Sequence, residues 1–242
     1  MPRSRHRGIK PKRKRNLIEK DEAPKKSHNR IRIRKHKFLT LKKEKDFITL
    51  VKMGRVLNAI AFGIQCMEDH QSKSTPDDIR QYHRAFFITG GYLYEGLQLV
   101  GSIQSKYVLE PTFAYLNKLL GDEFKKERVI LKEMRHSVSF HLDSDDKTTG
   151  ETLVALDLPH YDFSSGVSRQ LRHFYFDFGD TIDYNYLIDK LKKNRSEEEV
   201  REELVFTVKN MMTEFSRAGI GFFAGLLERL KFHESVDRVS EV

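Results

Sequence analysis

The stretch EMRHSVSFHLD, residues 133–143, contains one arginine and two histidines close to two acids. The guanidinium of Arg135 offers fixed donors and a permanent charge, which suit it to bind a phosphate group. The imidazoles of His136 and His141 titrate near neutral pH and can move protons. In a metal-free ribonuclease, an imidazole takes the 2′-hydroxyl proton or protonates the leaving oxygen, and a guanidinium stabilises the phosphoryl charge. The stretch is therefore a candidate site for RNA cleavage.

A simpler interpretation of the same residues is structural. Val138, Phe140 and Leu142 alternate with polar residues, a pattern that is typical of a half-buried strand after a helix. Basic residues are favoured at a helix C-terminus in any case. On one regular helix, six residues turn by about 600°, which leaves Arg135 and His141 about 120° apart. They converge only if the helix ends before His141, or if two copies of the chain share the site across a two-fold axis.

Residues 135–141 fit the R-x4–6-H pattern of the HEPN superfamily (higher eukaryotes and prokaryotes nucleotide-binding). The longer run R-x4-F-H-x-D, which ends at Asp143, resembles a group of uncharacterised bacterial proteins with this spacing. In that group a short hydrophobic segment and an aromatic strand follow the motif, and LVALDL and HFYFDF correspond to them here. The resemblance covers roughly residues 47–230, but its specific part is the seven-residue motif.

The resemblance implies an all-α bundle, and the residue pattern described below indicates about four long helices with a small β element before the last. We therefore expect a mainly α fold, a four-to-five-helix HEPN-like bundle with that β element. Many HEPN proteins are dimeric, metal-independent endoribonucleases of toxin–antitoxin, phage-defence or RNA-processing systems, and others only bind nucleotides or partners. Carried over, Arg135 binds phosphate, His141 is the acid/base and His136 orients or assists it. Beyond the resemblance, Glu95 and Asp143 are additional candidate acids of the cleft, and the alternative for Glu95 is an ordinary residue of the helix surface. The implied partners are RNA, a second copy of the chain and an antitoxin or regulatory protein.

A metal site is the main chemical alternative, because the motif is rich in ligand side chains. His136, His141, Asp143, Asp145 and Asp146 are close in sequence, and a further ligand would have to come from Asp157, His160 or Asp162. No HExxH pair or phosphate-binding loop accompanies them. The single Cys66 lies in an apolar helical pattern, where a buried, inert thiol is expected. We therefore expect neither a metal ion nor a cofactor.

Helical periodicity predicts the elements that position the motif. Residues 46–70 carry apolar side chains at three- and four-residue steps: Phe47, Leu50, Val51, Gly54, Leu57, Ala61, Ile64 and Met67. A second helix is expected to start at Ser74 or Thr75 and to bury Ile79, Tyr82, Phe86, Leu93, Leu97 and Val100. The adjacent Gly90 and Gly91 disfavour a helix unless another element approaches closely, so we predict a close helix–helix contact there.

The remainder of the helical domain divides at proline and glycine. The chain breaks at Glu110-Pro111, and a helix interrupted near Gly121 then leads to the motif. Residues 172–180 alternate aromatic and polar side chains, which predicts a strand. A capping box at Ser196 starts the final helix, whose apolar residues are Leu204, Val208, Met211, Met212, Phe215, Ile220, Phe223 and Leu227.

The charge of +9 is distributed unevenly. Residues 1–46 contain 19 Lys and Arg against 5 Asp and Glu, or +14; the remaining 25 against 30 give −5. We predict a basic disordered arm over 1–40, a helical domain over 41–235 and a C-terminal tail over 236–242. Clustered Lys and Arg release counterions from phosphates, so the RNA-binding candidates in the arm are Arg13, Lys14, Arg15, Arg32, Arg34 and Lys35. The arm is equally compatible with a solubilising tail.

Composition limits the cellular context. No apolar run long enough for a membrane span or a secretory signal is evident, and a lone cysteine suits a reducing compartment. We therefore expect a cytoplasmic protein that does not enter the membrane. The alternative to an RNA-cleaving enzyme is a non-catalytic helical module that binds nucleic acid or a partner through the basic arm.

Overall fold

The computed structural model describes residues 30–72, 75–135, 165–166, 175–232 and 236–239. Within these ranges the protein is mainly helical, as predicted. The helices are α1 (Lys35–Leu41), α2 (Lys45–His70), α3 (Pro76–Tyr107), α4 (Ala114–Lys118), α5 (Lys125–Met134), α6 (Asp177–Lys192) and α7 (Glu197–Arg229). Single 3₁₀ turns at Pro111–Phe113 and Asp122–Phe124 precede α4 and α5. The short extended segments are β1 (Arg30–Ile33), β2 (Ser165–Gly166), β3 (Tyr175–Phe176) and β4 (Val236–Val239).

Local capping signals set the starts of the two longest helices. At the start of α3, the Thr75 hydroxyl accepts a hydrogen bond from the Asp78 backbone N–H. At the start of α7, the Ser196 hydroxyl accepts from the Glu199 N–H at 3.2 Å, and the Glu199 carboxylate accepts from the Ser196 N–H at 2.7 Å. Both predicted starts are confirmed, as is the break at Glu110-Pro111. These interactions satisfy backbone donors that a helix start leaves without partners.

The core lies where α2, α3 and α7 pack together. Glycines allow these long helices to approach closely: a Cβ at Gly96 would lie 2.4 Å from the Cζ atom of Phe215. Near the other end of the bundle, the rings of Tyr107, Phe113 and Phe222 are fully or almost fully buried, and Phe222 meets both others edge-on. These contacts pack α3 closely against its neighbours, both at its middle and at its C-terminal end.

The buried face of helix α2 coincides only in part with the one that its sequence predicted. Phe47, Leu50 and Met67 are buried as expected, but Val51 and Ala61 are exposed. The core is instead completed by Met53, Val56 and Ile60. Because α2 is apolar on most of its circumference, its periodicity did not single out one face, and packing against α3 and α7 selected it.

Length and composition alone would allow α2 to cross a membrane, and it is the one helix among the described residues that meets this test. The core helix of a soluble protein meets the same test. Helix α2 packs against α3 and α7 and contributes eight buried residues. This packing favours the interpretation of α2 as a core helix.

The predicted strand over residues 172–180 is wrong from Asp177 onwards, because α6 begins there. Leu187, Ile188 and Leu191 supply its buried residues at helical spacing, which favours the helix over a strand. Among the described residues of this run, Tyr175–Phe176 is extended, in a two-residue antiparallel pairing with Ser165–Gly166. Such a short pairing does not establish the predicted β element, and the LVALDL segment lies outside the described residues.

The two ends of the described chain pair with each other. Strand β1 lies antiparallel to β4, with Arg30 opposite Val239 and Ile33 opposite Val236. Helix α1 follows, so the basic run RIRIRKHKFLTL begins as a strand and continues as a helix. Residues 1–29 of the arm predicted over 1–40 thus lie outside the described residues. Residues 30–40 of the arm form β1 and most of α1.

Candidate functional site

The C-terminal end of α5 is held against the middle of α3. Ile130, Leu131 and Met134 are buried on one side of α5, at spacings that place them on a common face. The Met134 side chain covers Gly90 of α3 so closely that a Cβ there would lie 2.4 Å from its Cε atom. The close approach predicted at Gly90 is thus confirmed. This contact determines where the next residue, Arg135, stands.

Arg135 forms an ion pair with Glu95 of α3. Its Nε–H donates to the Oε1 atom of Glu95 at 2.7 Å, across 40 positions of sequence. The arginine side chain is 22% exposed and the glutamate side chain 41%, so the pair lies at the boundary of the protein with solvent. An ion pair of this exposure contributes only about 0–1 kcal/mol to stability. Its main physical effect is to fix the orientation of the guanidinium, whose N–H donors project in a rigid plane.

A second ion pair ties the end of α5 to α6. The Lys190 ammonium lies 2.7 Å from the Glu133 carboxylate and donates to the Tyr186 hydroxyl at 3.2 Å. The hydrogen bond to Glu133 raises the pKa of Lys190; burial acts in the opposite direction and is outweighed. The α5 end is thus clamped between α3 and α6, with Arg135 on the α3 side.

Of the predicted site residues, the structure brings Arg135 and Glu95 together. The predicted histidines His136 and His141 and the acid Asp143 lie outside the described residues. The convergence of Arg135 and His141 on one phosphate therefore stays a prediction.

The arm candidates divide in the same way. Arg13, Lys14 and Arg15 lie outside the described residues, while Arg32 belongs to β1. Arg34 and Lys35 are exposed at the start of α1. These two basic residues are therefore at the surface, as binding to RNA would require.

The metal alternative concerns residues outside the described ranges. All the ligands considered for it, from His136 to Asp162, belong to the part of the chain that the structure does not describe. In the parts of the chain that the structure describes, no group of three or more His, Cys, Asp or Glu side chains could hold a metal ion. Cys66 on α2 is half-buried and packs against the core.

A cleft of about 810 Å³ lies between α5, α6 and the start of α7. Three of its five bases are in ion pairs with acids: Glu203 pairs with both Lys126 and Arg195, and Glu133 pairs with Lys190. Burial alone would raise the pKa of Glu203, but hydrogen bonds and charges from Lys126 and Arg195 outweigh it and lower the pKa. Because its charges are largely paired within the protein, this cleft is a poorer anion site than its lysines suggest.

One feature escaped the sequence analysis altogether. A pocket of about 260 Å³ opens between α3, α6 and α7, and its lining includes His83, Phe87, Tyr184 and Arg201. Tyr184 belongs to α6, which was not recognised as a helix, so the pocket had no second wall in the predicted fold. The helical spacing of Tyr184, Leu187 and Leu191 is the signal that could have revealed it.

Comparisons with family models, with curated proteins and with solved structures gave no match to this chain.

Proposed function

We propose that this chain is an HEPN-like, RNA-directed protein that acts as a metal-independent endoribonuclease. In this proposal Arg135 binds the phosphate that is attacked, His141 transfers the proton of the 2′-hydroxyl, and His136 orients or assists it. The observation that supports the proposal is the ion pair between Arg135 and Glu95 at the end of α5. It shows one member of the motif held in a defined orientation by a second helix.

Orientation matters because an arginine side chain is long and loses much rotamer freedom when a ligand fixes it. A guanidinium that is already held by Glu95 binds phosphate with less loss of entropy, which is the advantage of a preorganised site. Since the contribution of the pair to stability is small, stability alone is a weak explanation for it. Glu95 is accordingly a positioning residue in this proposal.

The proposal includes finer features of the fold. They are a four-to-five-helix HEPN-like core, a small β element before the last helix and a cleft shared by two copies of the chain. An antitoxin or regulatory protein is the further partner expected for an enzyme of this class. The protein would work in the cytoplasm, where RNA is its substrate.

The second candidate function is a non-catalytic RNA-binding module. It is favoured by one observation, the distribution of charge: residues 1–46 carry a net charge of +14, whereas the rest of the chain carries −5. Such a segment binds phosphates without sequence preference and without any catalytic group. In this case the basic arm provides the affinity for RNA, and the region around Arg135 has only a structural role.

Cleavage of mixed RNA in EDTA separates these two functions. The wild type is expected to cut, whereas Arg135→Ala and His141→Ala lower the rate by about 100-fold or more. Arg217→Ala is the matched control, because Arg217 is an exposed arginine in an ion pair with Glu214 on α7. Equal behaviour of all four proteins would leave only the binding module, and a requirement for a divalent metal would contradict the mechanism.

The positioning role of Glu95 needs a separate measurement. Glu95→Gln keeps the size of the side chain and is expected to lower kcat/KM, with the free energy of unfolding changed by less than about 1 kcal/mol. In the Arg135→Ala background the same substitution should have no further effect on kcat/KM, because the residues act as a unit. A fully additive loss would mean that Glu95 acts independently of Arg135.

A further inference from the structure

The aromatic pocket is formed by His83, Phe86 and Phe87 of α3, Tyr184 of α6, and Arg201 and Leu204 of α7, so aromatic rings make up much of its lining. The rings of His83 and Tyr184 are parallel within 2°, with centroids 6.4 Å apart. Phe87 meets Tyr184 edge-on, with centroids 6.5 Å apart. Phe86 and Leu204 are buried and supply an apolar floor. Planar ligands stack on such faces whatever their substituents.

The charges at the pocket favour an uncharged ring over a phosphate. The guanidinium carbon of Arg201 lies 5.4 Å from the centroid of the Tyr184 ring, in cation–π geometry. Arg201 is also paired with Glu197, and Glu198 adds a further negative charge beside it. Burial raises the pKa of Tyr184, with Arg201 opposing the shift, so the phenol stays neutral at physiological pH. A phosphate would meet the two carboxylates, whereas a neutral ring would not.

The pocket lies near the Arg135–Glu95 pair along the same helix. Met134 covers Gly90, which is three residues after Phe87 and five before Glu95. Along α3, the point where the end of α5 docks thus lies between Phe87 of the pocket and Glu95 of the pair. Phe87 and Glu95 are separated by eight residues, a rise of about 12 Å along α3. A few nucleotides of one strand can span this distance.

We propose that the aromatic pocket is a base-binding subsite, which stacks one unpaired nucleobase of the RNA strand whose phosphate Arg135 binds. The inference rests on the proposed function, because it takes RNA as the ligand and Arg135 as the phosphate contact. It adds that the substrate is single-stranded at this point. Bases in a duplex are already stacked on their neighbours and cannot enter, so recognition requires an unpaired nucleotide.

Fluorescence anisotropy of the full chain tests the subsite. The probe is a labelled ten-nucleotide RNA of mixed sequence, 2′-O-methylated so that attack by the 2′-hydroxyl cannot cut it, and a duplex of the same sequence is measured beside it. His83→Ala and Tyr184→Leu are expected to weaken single-strand binding by about 5- to 150-fold, the range that loss of one stacked base gives. Duplex binding should stay unchanged. Tyr184→Phe, which keeps the ring, should bind like the wild type, and Tyr115→Ala is the control for loss of an exposed tyrosine elsewhere.

Salt dependence distinguishes stacking from phosphate binding. The slope of log affinity against log salt should be the same in His83→Ala as in the wild type, because no phosphate contact is lost. Wild-type affinity in both pocket variants, or an equal loss with duplex, would overturn the subsite. If Arg135→Ala alone weakens binding, the subsite fails and the proposed function stands; if the wild type binds no RNA, both fail. Circular dichroism checks that Tyr184→Leu is folded, and exposed His83 provides the variant that does not disturb the core.

Discussion

Asp46, at the start of α2, joins the ends of the three long helices of the core. Its Oδ1 atom accepts a hydrogen bond from the Tyr107 hydroxyl at 2.7 Å and pairs with Lys106 at the end of α3. Its Oδ2 atom lies 2.7 Å from the Nε atom of Arg229 at the end of α7. The carboxylate is only 15% exposed, so its three partners replace most of its hydration.

Replacing Asp46 by Asn keeps the size of the side chain and removes its charge. The Tyr107 hydroxyl can still donate to the amide oxygen, but both ion pairs are lost. Lys106 is 36% exposed and Arg229 48%, so water partly solvates them after the change. We therefore expect a loss of about 1–2 kcal/mol in the free energy of unfolding, between the values for exposed and buried charged pairs. In a chain of this length the melting temperature should fall by about 2–8 °C.

The effect of this substitution should depend on pH. Burial by itself raises the pKa of Asp46, but hydrogen bonds from Lys106 and Tyr107 and the charges of Lys106 and Arg229 outweigh it and lower the pKa. A carboxyl group whose pKa is lower in the folded state stabilises the fold above its unfolded pKa of about 3.9. This stabilisation is lost as the pH falls through the folded pKa. The difference between wild type and Asp46→Asn should thus be full at neutral pH and shrink in acid.

Urea denaturation followed by circular dichroism measures this difference, since urea adds no ionic strength that would screen the pairs. Glu214→Gln is the control: it removes an ion pair with Arg217 on the surface of α7 and should change stability by less than about 0.5 kcal/mol. Equal effects of the two substitutions, or an Asp46→Asn difference that stays constant into acid, would refute the reasoning.

Three further predictions follow from packing, charge and symmetry. Gly96→Ala should destabilise the fold by about 1–3 kcal/mol, because the new Cβ would lie 2.4 Å from Phe215 and 2.9 Å from Val56. Gly101→Ala on the same helix should stabilise the fold by up to about 1 kcal/mol, because a Cβ at Gly101 would have no neighbour within 4 Å. If urea denaturation shows that the two substitutions change stability in the same direction, the packing described at Gly96 is contradicted. Deletion of residues 1–29, which spares β1 and α1, should weaken RNA binding and flatten its dependence on salt, and an unchanged slope in anisotropy titrations would exclude the arm as the electrostatic anchor. Sedimentation velocity at micromolar concentration should give twice the 28.5 kDa mass of the chain, and a monomer would contradict a shared cleft.

The helix boundaries could be predicted because the signals that set them are local. Thr75 and the Ser196–Glu199 box act through hydrogen bonds to backbone groups within three residues. Pro111 prevents the preceding helix from continuing through it, because proline has no backbone N–H to donate to the helix. These interactions need no distant partner, and each prediction made from them was confirmed.

Buried faces and one helix could not be predicted with the same success. In α7, Ile220 is 60% exposed although the pattern had placed it in the core, while Phe222 and Leu226 are buried. Apolar residues surround much of this helix, as they do α2, and the choice among them depends on which neighbours pack there. The start of α6 was assigned to a strand because aromatic alternation is compatible with both periods over a short run.

The sequence by itself determined that this is a helical protein with a basic leading segment and an arginine–histidine motif, because composition and spacing are properties of the chain. It also raised Glu95 only as a candidate acid. Tertiary structure decided that Glu95 pairs with Arg135, 40 positions away, because the absence of a side chain at Gly90 lets Met134 dock on α3. Tertiary structure also brings the parallel rings of His83 and Tyr184 together at one pocket. Contacts between distant residues depend on how helices pack against one another, and no local pattern encodes that geometry.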